Sequence, residues 1–291
     1  MKRKKQHMKD ANFSEKYMDL TPNIPEPKTD WIENKLFDVP YGSKPHQILD
    51  IYYPNNKNLD KYPLLIHIHG GGFSHMQKRD WGIYPGFFWI ERGYMMISIE
   101  YGLAPKFKCP SQIEDCDLAL EYLIKNKDKY KIDVNNIFIY GASAGGSLSS
   151  ILGAKNANNP EFTIRGVAAL CPVIDCYPIW LRYHKRPLVG LVLRKMFKDY
   201  LGYIPKNKDN FYNCDLSYYL QDKIPPFYFQ LGRLDPIINC SDWSAYATLL
   251  SKKTEVVLDI LEEGYHMGAT KHFFLDESIN GYLDFFENHI Q

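Results

Sequence analysis
The chain has 291 residues, 45% hydrophobic and 24% charged, which suits a globular protein with room for one large domain and an insertion. Its net charge of +1 hides a split: five Lys/Arg in residues 1–9 ("MKRKKQHMK") leave 30 basic against 34 acidic side chains in residues 10–291. A slightly acidic body argues against a nucleic-acid partner, and no run reaches the ~18 apolar residues of a membrane span, so stable membrane association is not expected.

The basic stretch reads as a solvated, partly mobile arm over residues 1–30, with no apolar run behind it to make a secretory signal. Residues 31–291 then alternate strand and helix. "HQILDIYYP" (46–54), "YPLLIHIHG" (62–70) and "YMMISIEYG" (94–102) are short apolar runs closed by Pro or Gly. Ser111 with Glu114 makes a capping box, and Ile113, Cys116, Leu120, Leu123 and Ile124 follow at helical spacing. "NIFIYG" (136–141) is a strand, and the segment around Ser143 opens a helix to about Gly153. Strands follow at 163–172, 226–232 and 255–261. Trp243, Tyr246, Leu249 and Leu250 mark a helix between the last two, and Ile279, Tyr282, Leu283, Phe286 and Ile290 a final one. Near-continuous apolar strands between amphipathic helices predict an α/β fold: a mostly parallel central sheet of about eight strands, covered on both faces. Residues 176–222 break the alternation and are expected to form an insertion over one end of the sheet.

Chemistry concentrates at strand ends. "YGASAGGS" sets one hydroxyl, Ser143, among small residues, as a nucleophile on a sharp strand-to-helix turn requires. "HIHGGGF" (67–73) ends an earlier strand in glycines whose N–H groups can approach an oxyanion closely. A serine hydroxyl needs a base and an orienting acid. Asp235 follows one late strand and His266 the next, in the chain order Ser…Asp…His of an α/β-hydrolase. Taken singly, Asp235 could be a helix cap and His266 a loop residue. His272 is the rival base. Asp242 falls inside a helix, and Glu262 and Glu263 come too soon before His266. His69 is expected to hold the glycine loop, and His67 to be a satisfied core histidine.

Six cysteines (109, 116, 171, 176, 214, 240) show neither CxxC spacing nor clustering with His. They read as reduced thiols of a cytoplasmic protein, with a Cys171–Cys176 disulfide as the alternative, and no metal or cofactor is called for.

Taken together, "LDIYYP", "PLLIHIHGGGF", "EYGLAPKFKCPSQIEDCDLALEYL", "YKIDVNNIFIYGASAGGSLSSILG", "PPFYFQLGRLDP" and "EEGYHMGA" resemble the α/β-hydrolases of the hormone-sensitive-lipase-like group, in particular its acetyl esterase/lipase branch. The resemblance covers roughly residues 31–290. It implies Ser143 as nucleophile, His266 as base, Asp235 as orienting acid, and Gly71, Gly72 and Ala144 as oxyanion-hole donors. The chain departs from the group at Ala142, often acidic or His, at Gly102, often Arg after the tyrosine, and at "HMG" in place of His-Gly-Phe.

The expected activity is a serine carboxylesterase acting on small short-chain or aryl esters. Amidase (arylformamidase) and sugar-ester deacetylase share the same triad, and a non-catalytic ligand-binding protein on this fold is the remote alternative. Tyr177, Trp180 and Tyr183, followed by Phe197, Tyr200, Tyr203, Phe211 and Tyr212, are expected to line the substrate site. Arg182, Lys185, Arg186, Arg194 and Lys195 read as a solvated face, and "PLVGLVL" (187–193) as part of a helix of the insertion. A homodimer is compatible with all of this.

Overall fold
The computed structural model describes residues 18–19, 26–55, 59–185, 187, 189–266 and 276–291. The basic stretch of residues 1–9, Arg186 and the rival base His272 lie outside the described residues. After a two-residue pairing of Met18–Asp19 with Glu26–Pro27, eight strands form one sheet. They are β1 (Lys35–Pro40), β2 (Ile48–Tyr52), β3 (Tyr62–Ile68), β4 (Met95–Ile99), β5 (Ile132–Ala142), β6 (Ile164–Leu170), β7 (Phe227–Gly232) and β8 (Val256–Leu261). The order across the sheet is β8-β7-β6-β5-β3-β4-β2-β1. Only the β1/β2 and β2/β4 pairs are antiparallel.

The parallel strands are buried on both faces, which is why they read as continuous apolar runs rather than alternating ones. In β4 every residue is buried, and in β3 all but Pro63. Helices cover the faces: α1 (Tyr84–Arg92), α2 (Ser111–Lys125), α3 (Lys127–Tyr130), α4 (Ala144–Lys155), α5 (Cys176–Tyr183), α6 (Val189–Leu201), α7 (Cys240–Leu250) and α8 (Asp276–Glu287).

Helix α2 corrects one expectation. Its N-cap is Pro110, Ser111 is already inside the first turn, and the Ser111 hydroxyl donates backwards to Lys108 O at 2.6 Å. The expected Ser111–Glu114 capping box does not form, because the Glu114 N–H is taken by Pro110 O at 3.1 Å.

Parallel pairing in register places the site. β3 lies beside β5 with Ile68 opposite Gly141, so the glycine run at 70–72 leaves the sheet next to Ser143. β7 pairs with β8, Gly232 opposite Leu261, so the segments carrying Asp235 and His266 also leave side by side. All four features emerge at the carboxyl ends of parallel strands, where α/β folds place ligands.

Candidate active site
Ser143 is the residue between β5 and α4, and its backbone takes φ 53°, ψ −120°. Such a conformation is strained for a residue with a Cβ and is held here by its neighbours. The Ser143 N–H donates to Leu170 O at 2.8 Å, and its C=O accepts from Ser147 N at 3.0 Å and Ser147 Oγ at 3.1 Å. The small residues around it are a matter of space. A Cβ on Gly145 would sit 2.1 Å from Ile68 O and 2.5 Å from His69 O, so only glycine lets α4 start this close to the end of β3.

The Ser143 side chain makes no cap bond to α4. Its Oγ instead lies 2.9 Å from His266 Nε2, and His266 Nδ1 lies 2.7 Å from Asp235 Oδ2. The Asp235 side chain is fully buried and that of His266 is 18% exposed, so the inner end of the chain is dry and the outer end reachable. Asp235 does both of the things its sequence position allowed. Oδ2 faces the imidazole while Oδ1 accepts from Ile237 N at 2.8 Å and Ile238 N at 2.9 Å, capping the turn before α7. A carboxylate fixed by two N–H donors on one oxygen keeps the other aimed at Nδ1–H, leaving Nε2 to accept the serine proton.

The rivals are engaged elsewhere. Asp242, in the first turn of α7, pairs with Arg182 at 2.7 Å, and Glu262 pairs with Arg233 at 2.6 Å. Arg182, expected on a solvated face, thereby ties α5 to α7.

Gly71 has φ +97° and Gly72 φ +59°, and a Cβ on Gly71 would lie 2.0 Å from His75 O. Among the described residues, none accepts a hydrogen bond from the N–H of Gly71, Gly72 or Ala144. Backbone donors left over at a helix start and a glycine turn suit a developing negative charge.

The loop they sit on is braced from below. His69 stacks on Tyr101 with ring centroids 4.1 Å apart and contacts Glu100 Oε1 at 3.1 Å. The Tyr101 hydroxyl donates to His69 O (2.9 Å) and Gly70 O (3.1 Å). Glu100 and Tyr101 are supports that sequence reasoning missed; their adjacency at the end of β4 was the available signal. His67 is fully enclosed, 2.8 Å from Ser98 Oγ, and burial drives its pKa down to about 3.

The insertion differs from expectation in what its aromatics do. Trp180, Phe197, Tyr200 and Phe211 are buried, and Trp180, Phe197 and Phe211 pack on one another rather than line an open site. Phe197 meets Phe211 edge-on at 5.3 Å and Trp180 at 5.9 Å. Tyr177 leans on Phe211 at 6.0 Å and is half-buried like Tyr183, while Tyr203 and Tyr212 are exposed. Apolar area is the reason: the segment must build its own small core before it can cover anything. It does reach the glycine loop, where Tyr200 stacks on Phe73 at 3.9 Å. A pocket of ≈ 90 Å³ opens beside the Asp235 turn, between Ile174, Asp175 and Ile179 on one side and Ile238, Trp243 and Tyr246 on the other.

The BD-FAE family model matches residues 49–250, a stretch that spans β2 to α7 and includes the glycine loop, Ser143 and Asp235. The chain belongs to the BD-FAE family. Among curated proteins, this BD-FAE chain is 33% identical over 124 residues to Esterase LipC of Mycobacterium tuberculosis, covering 43% of the chain and 30% of LipC. It is 24% identical over 183 residues to the kynurenine formamidase of Salmo salar, covering 62% of the chain and 60% of that enzyme. The chain thus spans less than two thirds of the length of these relatives. Among solved structures, Esterase B from Lactobacillus rhamnosis superposes with a TM-score of 0.70 at 20% identity, covering 88% of the chain and 86% of Esterase B. The sheet order and this likeness establish the α/β-hydrolase fold, and with the family match they bear out the hormone-sensitive-lipase-like resemblance. No helix among the described residues is long and apolar enough to cross a membrane.

Proposed function
We propose that this BD-FAE protein is a serine carboxylesterase for small short-chain or aryl esters. The observation that carries the reading is the unbroken chain Ser143 Oγ–His266 Nε2 (2.9 Å) and His266 Nδ1–Asp235 Oδ2 (2.7 Å), set beside uncommitted N–H groups. His266 takes the Ser143 proton as Oγ attacks the ester carbonyl. The oxyanion is received by the N–H groups of Gly71, Gly72 and Ala144, each worth about 10²–10³ in rate. The alcohol departs with the proton held by His266. Water, deprotonated by the same imidazole, then releases the acid and restores Ser143.

A second reading is amide hydrolysis of an aryl formamide. Its support is the similarity to a protein named kynurenine formamidase, and the same residues would serve it. Hydrolysis of p-nitrophenyl acetate, butyrate and octanoate, beside an N-formyl aniline, separates the two. The expected order is acetate and butyrate above octanoate, with Ser143→Ala slower by a factor of about 10⁴ or more. A wild-type protein inert toward all four substrates, or an alanine variant that keeps its rate, overturns the proposal.

A further inference from the structure
Away from Ser143, three cysteines from separate parts of the chain converge under the insertion. Cys176 opens α5, Cys214 lies beyond α6, and Cys109 precedes α2 in the body of the fold. The sulfurs of Cys176 and Cys214 and a carboxylate oxygen of Asp215 all lie within 4.8 Å of one another. Cys176 and Asp215 are fully buried and Cys214 is 1% exposed. Cys109 is half-buried, its thiol borders that of Cys214, and its Sγ reaches Asn213 O at 3.5 Å.

Asp215 is the anomaly. Its Oδ1 accepts the Cys176 N–H at 2.8 Å, while among the described residues its buried Oδ2 meets no N–H or O–H donor, and the Cys176 thiol is the weak donor beside this carboxylate. A carboxylate oxygen enclosed without a strong donor is unfavourable unless a cation or proton meets it. Two buried thiols beside it are poor donors but, once deprotonated, good metal ligands.

We propose that Cys176, Cys214 and Asp215 form a structural zinc site, with Cys109 supplying the fourth ligand. Zinc holds thiolates at about 2.3 Å in a tetrahedron, which sets two sulfurs roughly 3.8 Å apart, so Cys176, Cys214 and Asp215 close by a small contraction, and Cys109, outside that group but beside Cys214, moves in to complete it. The mixed sulfur and oxygen set favours zinc over a monovalent copper ion, which prefers sulfur alone. Binding expels the thiol protons to solvent and forms Zn–S bonds in their place. Phe211 O, which now accepts the Cys214 S–H at 3.0 Å, keeps the Cys214 N–H at 3.0 Å when that proton leaves. One ion then fastens the start of α5 and the 214–215 turn to the segment entering α2, pinning both ends of the insertion's core to the body. The site is separate from the ester chemistry and stands or falls without it.

The test uses the full chain, reduced with a phosphine under anaerobic conditions and titrated with Co²⁺, then Zn²⁺. One equivalent of Co²⁺ is expected to give the sulfur-to-cobalt charge-transfer and tetrahedral d–d absorption bands, and one equivalent of Zn²⁺ to abolish them and raise the melting temperature. Cys176→Ser and Cys214→Ser should lose the bands, while Asp215→Asn and Cys109→Ser should weaken Zn²⁺ binding about tenfold or more. Cys116→Ser and Cys171→Ser should match the wild type, the latter separating this cluster from the Cys171 thiol near Asp235 and His266. Circular dichroism of each variant reports its fold. The proposal is overturned if folded wild type gives no bands, if they survive in both Cys176→Ser and Cys214→Ser, or if Cys171→Ser removes them. Peptide mapping that finds a disulfide among Cys109, Cys176 and Cys214 in the unreduced protein overturns it too.

Discussion

Asp235 combines two roles that are alternatives in most carboxylates: it caps a turn with one oxygen and orients His266 with the other. That division makes a clean test. Asp235→Asn keeps a side-chain carbonyl for the Ile237 and Ile238 N–H groups but can present an amide N–H to His266, forcing the wrong tautomer. The melting temperature should hold while kcat falls by roughly 10³–10⁴. Gly145 is the opposite case, a residue whose importance is entirely steric. Gly145→Ala drives a methyl against two backbone oxygens, Ile68 O at the end of β3 and His69 O just past it. It should lose about 1–3 kcal/mol of stability in denaturant titration. Its esterase rate should fall more than a hundredfold as α4 and Ala144 shift. At this scale the sequence was legible in the placement of Ser143, Asp235, His266 and the glycines just past strand ends, which the fold draws together. The packing of Gly145 on Ile68 O, by contrast, has no signal in the residues themselves. Nothing in the structure accounts for Ala142 where related chains often carry a polar residue.

Elements show where patterning succeeds and fails. The parallel strands were legible since burial on both faces makes them short apolar runs. Strand β1 was not, because "KLFDVP" leaves Leu36 and Phe37 both 43% exposed at the sheet's edge, and it has neither alternation nor an apolar run. Helix α1 was missed for the reverse reason: in "YPGFFWIER" six of the nine residues are buried, so no polar face marks its period, and Pro85 and Gly86 read as a turn. Of the insertion's aromatics assigned to substrate, Trp180, Phe197 and Phe211 instead pack on one another, which their spacing alone does not distinguish from a lining.

Element pairing also sets a pH dependence. His67 on β3 is enclosed against Ser98 on β4 and stays neutral because burial lowers its pKa from 6.5 to about 3. The unfolded chain therefore binds a proton below pH 6.5 that the native chain does not, and stability falls as pH drops from 6.5 toward 3. Between pH 7 and pH 5 this one group should remove about 2 kcal/mol, at 1.4 kcal/mol per unit below 6.5. Chemical denaturation at the two pH values should show that much less loss for His67→Gln than for wild type. Equal losses would mean that His67 is not the group responsible. Tyr200→Ala, which removes the stack on Phe73 and empties a buried site, should loosen the glycine loop, lower kcat for p-nitrophenyl acetate and lower the melting temperature as well.

Across the whole molecule the groups proposed to react come from two places in the sheet, its centre and one edge. The glycine loop and Ser143 follow β3 and β5, whereas Asp235 and His266 follow β7 and β8. Of Ser143, Asp235 and His266, Ser143 alone has a positive φ, and what holds it is a set of bonds reaching to β6 and into α4. The Ser147 hydroxyl extends that set, donating to Val173 O at 2.8 Å and accepting from Val173 N at 3.0 Å. A strained turn relaxes as soon as its restraints slacken, long before a buried eight-stranded sheet melts. Catalysis then becomes the molecule's most sensitive thermometer: on warming, the rate should collapse several degrees below the temperature at which the tertiary circular dichroism changes, and return on cooling.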